Sequence, residues 1–126
     1  MERLVARILV IDDDRMMREL YQEILTRRGH AVILAENGTE GLAKVEENPD
    51  LIVVDLTMAD GDGYEFLKHL RAIPGRATTP VIVSSGQLAG DVAIAGADRF
   101  LAKPFQSSEL NALVDELLSS SRGTAS

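Results

Sequence analysis

With 126 residues, 45% of them hydrophobic, the chain has the length of one domain and the apolar content of a packed core, which excludes a disordered segment. A net charge of −7 argues against a sequence-independent grip on nucleic acid, which needs a basic surface. The absence of cysteine removes disulfides, zinc–thiolate sites and cysteine nucleophiles together.

No apolar run approaches the length of a membrane span, since Arg7 and Asp12 flank the first one. The start, Met1-Glu2-Arg3, has no long apolar leader, so the expectation is a cytoplasmic protein. Arg7 to Ile11 reads as a first, central strand closed by the acids Asp12, Asp13 and Asp14. Asp14 or Asp13 can cap the next helix, where Met16, Met17, Leu20, Tyr21, Ile24 and Leu25 recur at helical spacing until Gly29 stops it. Ala31 to Ala35 is a short second strand, and Asn37-Gly38 turns the chain into a helix that ends at Asn48-Pro49-Asp50.

Leu51 to Val54 is an unbroken apolar run ending on Asp55, the signature of a strand covered on both faces. A loop rich in turn formers, Thr57 to Gly63, precedes a helix burying Phe66, Leu67 and Leu70, which Pro74-Gly75 breaks. Val81 to Ser84 follows Pro80 as a fourth strand ending on Ser85-Gly86, and Phe100 to Ala102 is a brief fifth ending at Lys103-Pro104. Between them, Gly90 and Gly96 leave room for a helix of a turn or two at most. Leu110, Leu113, Val114, Leu117 and Leu118 mark a last helix, started by Gln106 or Ser107. Residues 1–118 are expected to form the domain, with 119–126 a frayed tail because no apolar anchor follows Leu118. This alternation of strand and helix implies an α/β fold, a parallel sheet with helices on both faces.

Ligands bind beyond the carboxyl ends of strands in such sheets. Those ends carry Asp12 and Asp13, then Asp55, then Ser85, then Lys103. Three neighbouring carboxylates raise one another's pKa, a tension that a divalent cation relieves. Magnesium, which prefers oxygen ligands and keeps several waters, suits two carboxylates and a backbone carbonyl. Lys103 adds a cation and Ser85 a hydroxyl, so the hollow is arranged for a phosphoryl group with Asp55 as nucleophile.

From Arg7 to Leu118 the chain resembles the receiver domains of two-component response regulators. The matching pieces are Asp12-Asp13, Asp55 within Val-Val-Asp-Leu-Thr-Met, Asp62-Gly63-Tyr64-Glu65, Ser85, Gly96-Ala97-Asp98 and Lys103-Pro104-Phe105. The resemblance implies a flavodoxin-like doubly wound sheet of five strands in the order 2-1-3-4-5. It implies that Asp55 accepts a phosphoryl group from a partner histidine kinase or phosphotransfer protein. It also implies that Asp13, Asp55 and the Thr57 carbonyl hold Mg²⁺, with Asp12 acting mainly through water. Ser85 would be the switch hydroxyl, Phe100 the aromatic that follows it, and Lys103 the phosphoryl-binding cation before a cis proline. Such a domain acts as a signalling switch toward a downstream protein and catalyses only its own phosphoryl transfer and hydrolysis.

Departures from the resemblance lie at Ala59 and Gly61, which loosen the loop after Asp55, and between Ser85 and Gly96, where about one helical turn is missing and the fourth helix is shortened. The shortening keeps open a module of the same fold that binds partners without phosphorylation. An aspartate-nucleophile phosphohydrolase of the haloacid dehalogenase kind would need a second acid where Thr57 stands. His30 and His69 read as solvated, since nothing at metal-ligand spacing accompanies them, and Asp60 to Gly63 fails as a calcium loop at both required ends.

Overall fold

The computed structural model describes residues 5–59, 62–86 and 96–123, with the side chains of 121–123 left aside. The strands are β1 (Arg7–Ile11), β2 (Ala31–Ala35), β3 (Leu51–Asp55), β4 (Val81–Ser85) and β5 (Arg99–Ala102). The helices are α1 (Arg15–Arg27), α2 (Gly38–Lys44, continued by the 3₁₀ turn Val45–Glu47), α3 (Asp62–Ala72) and α4 (Ser107–Gly123). All strand pairs are parallel and the order is β2-β1-β3-β4-β5, the doubly wound arrangement expected above.

Position in the sheet follows from composition. Every residue of β3 and of β4 is buried, as a continuous apolar run requires, whereas the edge strands β2 and β5 are partly exposed. Because successive side chains leave a strand on opposite faces, each strand feeds two cores. Ile8, Val10, Val53 and Ile82 pack with Tyr21 and Leu25 of α1 and Leu110 and Val114 of α4. Leu9, Ile11, Val54 and Val83 pack on the other face with Phe66, Leu67 and Leu70 of α3.

Helix ends obey local chemistry. Asp14 caps α1 by accepting the Met16 amide at 2.9 Å, and Asn37 caps α2 by accepting that of Glu40 at 2.8 Å. For α4 the residue before the first turn is Gln106, whose amide donates to the Glu109 carboxylate at 2.8 Å, the return bond of a capping box. After α1 the chain turns through Gly29 at φ 92°, a left-handed backbone that favours glycine.

Two expectations are corrected. Helix α4 continues through Gly123, so residues 119–123 are helical and no tail begins at Ser119. Ser119-Ser120-Ser121-Arg122 contains no breaker, and once Leu118 is anchored each further residue adds a hydrogen bond to an existing helix. His30 is buried at 5% exposure, with Nδ1 accepting the Ala6 amide at 3.0 Å. It opens β2 where Ala31 donates back to the Ala6 carbonyl, so the polar ring is inserted between two strand ends instead of facing water. His69 is exposed beside Glu65, as expected. The shortened helix expected between β4 and β5, and Gly61, fall outside the described residues.

Gly63, in the first turn of α3, shows how tightly that helix meets β3. A Cβ there would stand 2.4 Å from the Asp55 carbonyl oxygen and 3.0 Å from Leu56 Cα, both backbone atoms that cannot swing aside. Gly63→Ala is therefore expected to lower stability by about 1–3 kcal/mol in urea unfolding, the usual range for overpacking. A loss of under about 0.5 kcal/mol, within the ordinary scatter of surface substitutions, would mean that the approach is not tight.

Candidate functional site

Four of the proposed residues meet at the carboxyl edge of the sheet. Asp12 follows β1 directly, its amide donating to the Ala35 carbonyl at 3.1 Å, and its side chain is 1% exposed. Its Oδ1 accepts the Asp14 amide at 2.9 Å and its Oδ2 accepts from Lys103 Nζ at 3.0 Å. Asp55 ends β3, also buried, with Oδ2 lying 3.3 Å from the same ammonium. Asp13 is exposed at the rim. Carboxylate oxygens of Asp12, Asp13 and Asp55 lie within 4.8 Å of one another, a grouping that could hold a metal ion.

Lys103 is aimed by its backbone. Its amide donates to the Ser85 carbonyl at 3.0 Å, continuing the β4–β5 ladder, and the Lys103–Pro104 bond is cis. Ser85 is buried at the end of β4, one residue beyond Ser84, the register partner of Asp55. Phe100 is half-buried on β5 and packs into the α3-side core. Thr57 stands in the turn after β3, where its amide at 2.8 Å and its hydroxyl at 2.6 Å both donate to Asp55 Oδ1.

The charges do not balance. Three carboxylates face one ammonium, so two negative charges remain if all ionise. Burial pushes the Asp12 carboxyl above its ordinary value, although the Asp14 amide and Lys103 both pull the other way. Burial alone would lower Lys103, but the hydrogen bond to Asp12 and the charges of Asp12 and Asp55 outweigh it, and the net shift is upward. Lys103 therefore contributes stability below its ordinary pKa that is lost as pH rises through the raised one. For Asp12 the raised value means that the fold favours the protonated acid, so ionising it as pH rises costs stability. A divalent cation at the acid group would offset that cost.

Three contacts were not singled out from the sequence. The Arg18 guanidinium donates to the Asp12 carbonyl at 2.8 Å and lies 3.9 Å from Glu36, bracing the β1–α1 turn. Asp62, at the start of α3, accepts the Gly38 amide at 2.5 Å and ties the first turn of α3 to that of α2. The Thr57 hydroxyl bond to Asp55 is the third. The short Asp-x-Thr spacing, which favours such local turns, was the available signal only for the last.

The family model described as the response regulator receiver domain matches residues 8–115. The chemotaxis protein CheY of Bacillus subtilis is 35% identical over 119 residues, which span 91% of this chain and 99% of that protein. The response regulator MprA of Mycobacterium sp. (strain KMS) is 39% identical over 116 residues, 90% of this chain but only 50% of that regulator's length. Among solved structures, a CheY-like receiver domain protein from Methanospirillum hungatei superposes with a TM-score of 0.85 at 28% identity, covering 96% of this chain and 99% of that one. A response regulator structure from Chloroflexus aurantiacus gives 0.83 at 31% identity, over 92% and 99% of the two chains. No helix among the described residues is long and apolar enough to cross a membrane. With its sheet order, its strand-end acids and a family match over most of its length, the chain belongs to the response regulator receiver domains, the switches of two-component signalling.

Proposed function

We propose that this receiver is a phosphorylation switch in which Asp55 accepts a phosphoryl group from a phosphohistidine on a partner histidine kinase or phosphotransfer protein. A carboxylate oxygen of Asp55 attacks phosphorus while the bond to the histidine nitrogen breaks, and the imidazole leaves with that electron pair. Hydrolysis later returns the carboxylate and inorganic phosphate. The observation that carries this reading is the position of Lys103 Nζ, within 3.0 Å of Asp12 and 3.3 Å of Asp55, beside an acid group with room for a cation.

Each residue then has a task. Lys103 balances the phosphoryl charge from one side, and the Ser85 hydroxyl donates to a phosphoryl oxygen from the end of β4. Asp13, Asp55 and the Thr57 carbonyl would hold Mg²⁺ directly, with Asp12 acting mainly through water, and the close grouping of the three carboxylates supports such an all-oxygen site. When bound, Mg²⁺ supplies positive charge to the phosphoryl oxygens in the transition state. Movement of Ser85 toward the modified aspartate gives Phe100 a new resting place, and the altered surface recruits or releases a downstream protein. A metabolic phosphohydrolase is not favoured, because Thr57 offers a hydroxyl bound to Asp55 where an acid–base carboxylate would be needed.

Incubation with Mg²⁺ and acetyl phosphate should add one phosphoryl group, read by intact-protein mass, and Asp55→Asn should abolish it. Labelling that persists in the variant would place the acceptor elsewhere. A second expectation follows from the sharing of Asp12 and Asp55 by two cations. Removing the ammonium with Lys103→Met should tighten Mg²⁺ by about tenfold through lost like-charge repulsion. The same substitution should slow phosphoryl acceptance at saturating Mg²⁺. Calorimetric titration showing unchanged or weaker Mg²⁺ binding would contradict the competition.

A further inference from the structure

The arginines of α1 are of two kinds. Arg15 and Arg27 lie in solvent, each paired with a glutamate one turn away, Glu19 and Glu23. The side chain of Arg18 is 16% exposed, and its guanidinium donates to the Asp12 carbonyl at 2.8 Å, with the Glu36 carboxylate 3.9 Å away. Electrostatics alone does not favour that placement. A cation near the start of a helix lies toward the positive end of its dipole, and one bonded to the residue before a metal ligand opposes the metal's charge.

The bond acts on the peptide that carries Asp13. The atoms from the Asp12 Cα to the Asp13 Cα share one plane, so holding the carbonyl oxygen of Asp12 sets the orientation from which Asp13 departs. Asp13 has no other guide of its own. It is exposed, and its side chain makes no hydrogen bond or ion pair among the described residues. Its carboxylate nevertheless lies within 4.8 Å of those of Asp12 and Asp55.

Two bonds hold the turn on which Asp13 stands. In one, the Asp14 amide donates to Asp12 Oδ1 at 2.9 Å across the turn. That acceptor belongs to the acid group itself and also answers to Lys103 through its other oxygen. The second bond, from Arg18, comes from outside the group and reaches the backbone directly. Supporting bonds of this kind orient ligands that would otherwise be free to turn.

We propose that Arg18 is a positioning residue for the cation site, holding the Asp12–Asp13 peptide so that the Asp13 carboxylate is presented to Mg²⁺. This rests on Asp13 being a ligand of that cation. The test compares the wild type with Arg18→Met, Asp13→Ala and the double variant. Binding of Mn²⁺ in place of Mg²⁺ is read from the EPR signal of the free ion, and thermal unfolding is followed without metal. Losing a cation would by itself tighten the metal, whereas losing the positioning bond loosens it, so the sign separates the two effects. Arg18→Met should bind Mn²⁺ about three- to tenfold more weakly than the wild type, the range of one modest hydrogen bond. In the Asp13→Ala background the same substitution should leave the affinity unchanged or raise it, because no ligand remains at that position to be misplaced. A purely structural role would lower the unfolding temperature without this dependence on Asp13. Should Arg18→Met fail to fold, Arg18→Lys keeps the charge but ends one bond short of the Nη donors, and the same weakening is expected of it. Unchanged or tighter binding in the folded Arg18 variant, or a loss that persists without Asp13, would overturn the inference while leaving the acid site in place. Wild-type affinity in Asp13→Ala would instead remove Asp13 as a ligand, and this inference with it.

Discussion

One ammonium group shared between two buried carboxylates governs this end of the molecule. Asp12 and Asp55 come from adjacent strands, and in water their mutual repulsion would be slight; at 1% and 4% side-chain exposure it is not. Lys103 lowers the cost of keeping them together and does not remove it, since Asp13 adds a third negative charge at the rim. Breaking a buried pair by removing one partner is costly because the other charge stays behind. The cluster is therefore held in a state that a divalent cation or a change of covalent charge will alter, which is what a switch requires.

The sheet makes that meeting possible. Parallel strands all present their carboxyl ends at one edge, so residues 91 positions apart, Asp12 and Lys103, come within hydrogen-bond reach. The order β2-β1-β3-β4-β5 puts β1 and β3 side by side at the centre, with chain connections leaving toward opposite faces. The crevice opens at that point, and it is where ligands bind in folds of this kind. The burial of β3 and β4 on both faces fixes their register, and a one-residue slip would turn Asp55 to the wrong face.

Much of this was legible in the sequence because it depends on local pattern. Apolar runs marked the strands, and the caps Asp14 and Asn37 stood where their short acceptor side chains suit a helix start. The strand-end positions of Asp12, Asp55, Ser85 and Lys103 followed from the strands themselves. What escaped were contacts made by side chains reaching across the fold. His30 looked solvated beside Arg27 and Arg28, yet its ring accepts an amide from a residue 24 positions earlier. Arg18 gave no hint that it would brace the Asp12 carbonyl. The end of α4 was misplaced for another reason. Absence of apolar residues after Leu118 says that nothing packs there, whereas helix persistence depends on propagation from an anchored turn.

The central claim is spatial: one cation and one phosphoryl group share the hollow framed by Asp12, Asp13, Asp55 and Lys103. A crystal structure of the protein grown with Mn²⁺ and beryllofluoride, with the metal located by its anomalous signal, tests it most directly. The account predicts a metal peak among the carboxylates of Asp12, Asp13 and Asp55, beryllium on an Asp55 oxygen, and Lys103 Nζ turned to a fluoride. A metal bound elsewhere, or beryllium on another residue, would contradict it.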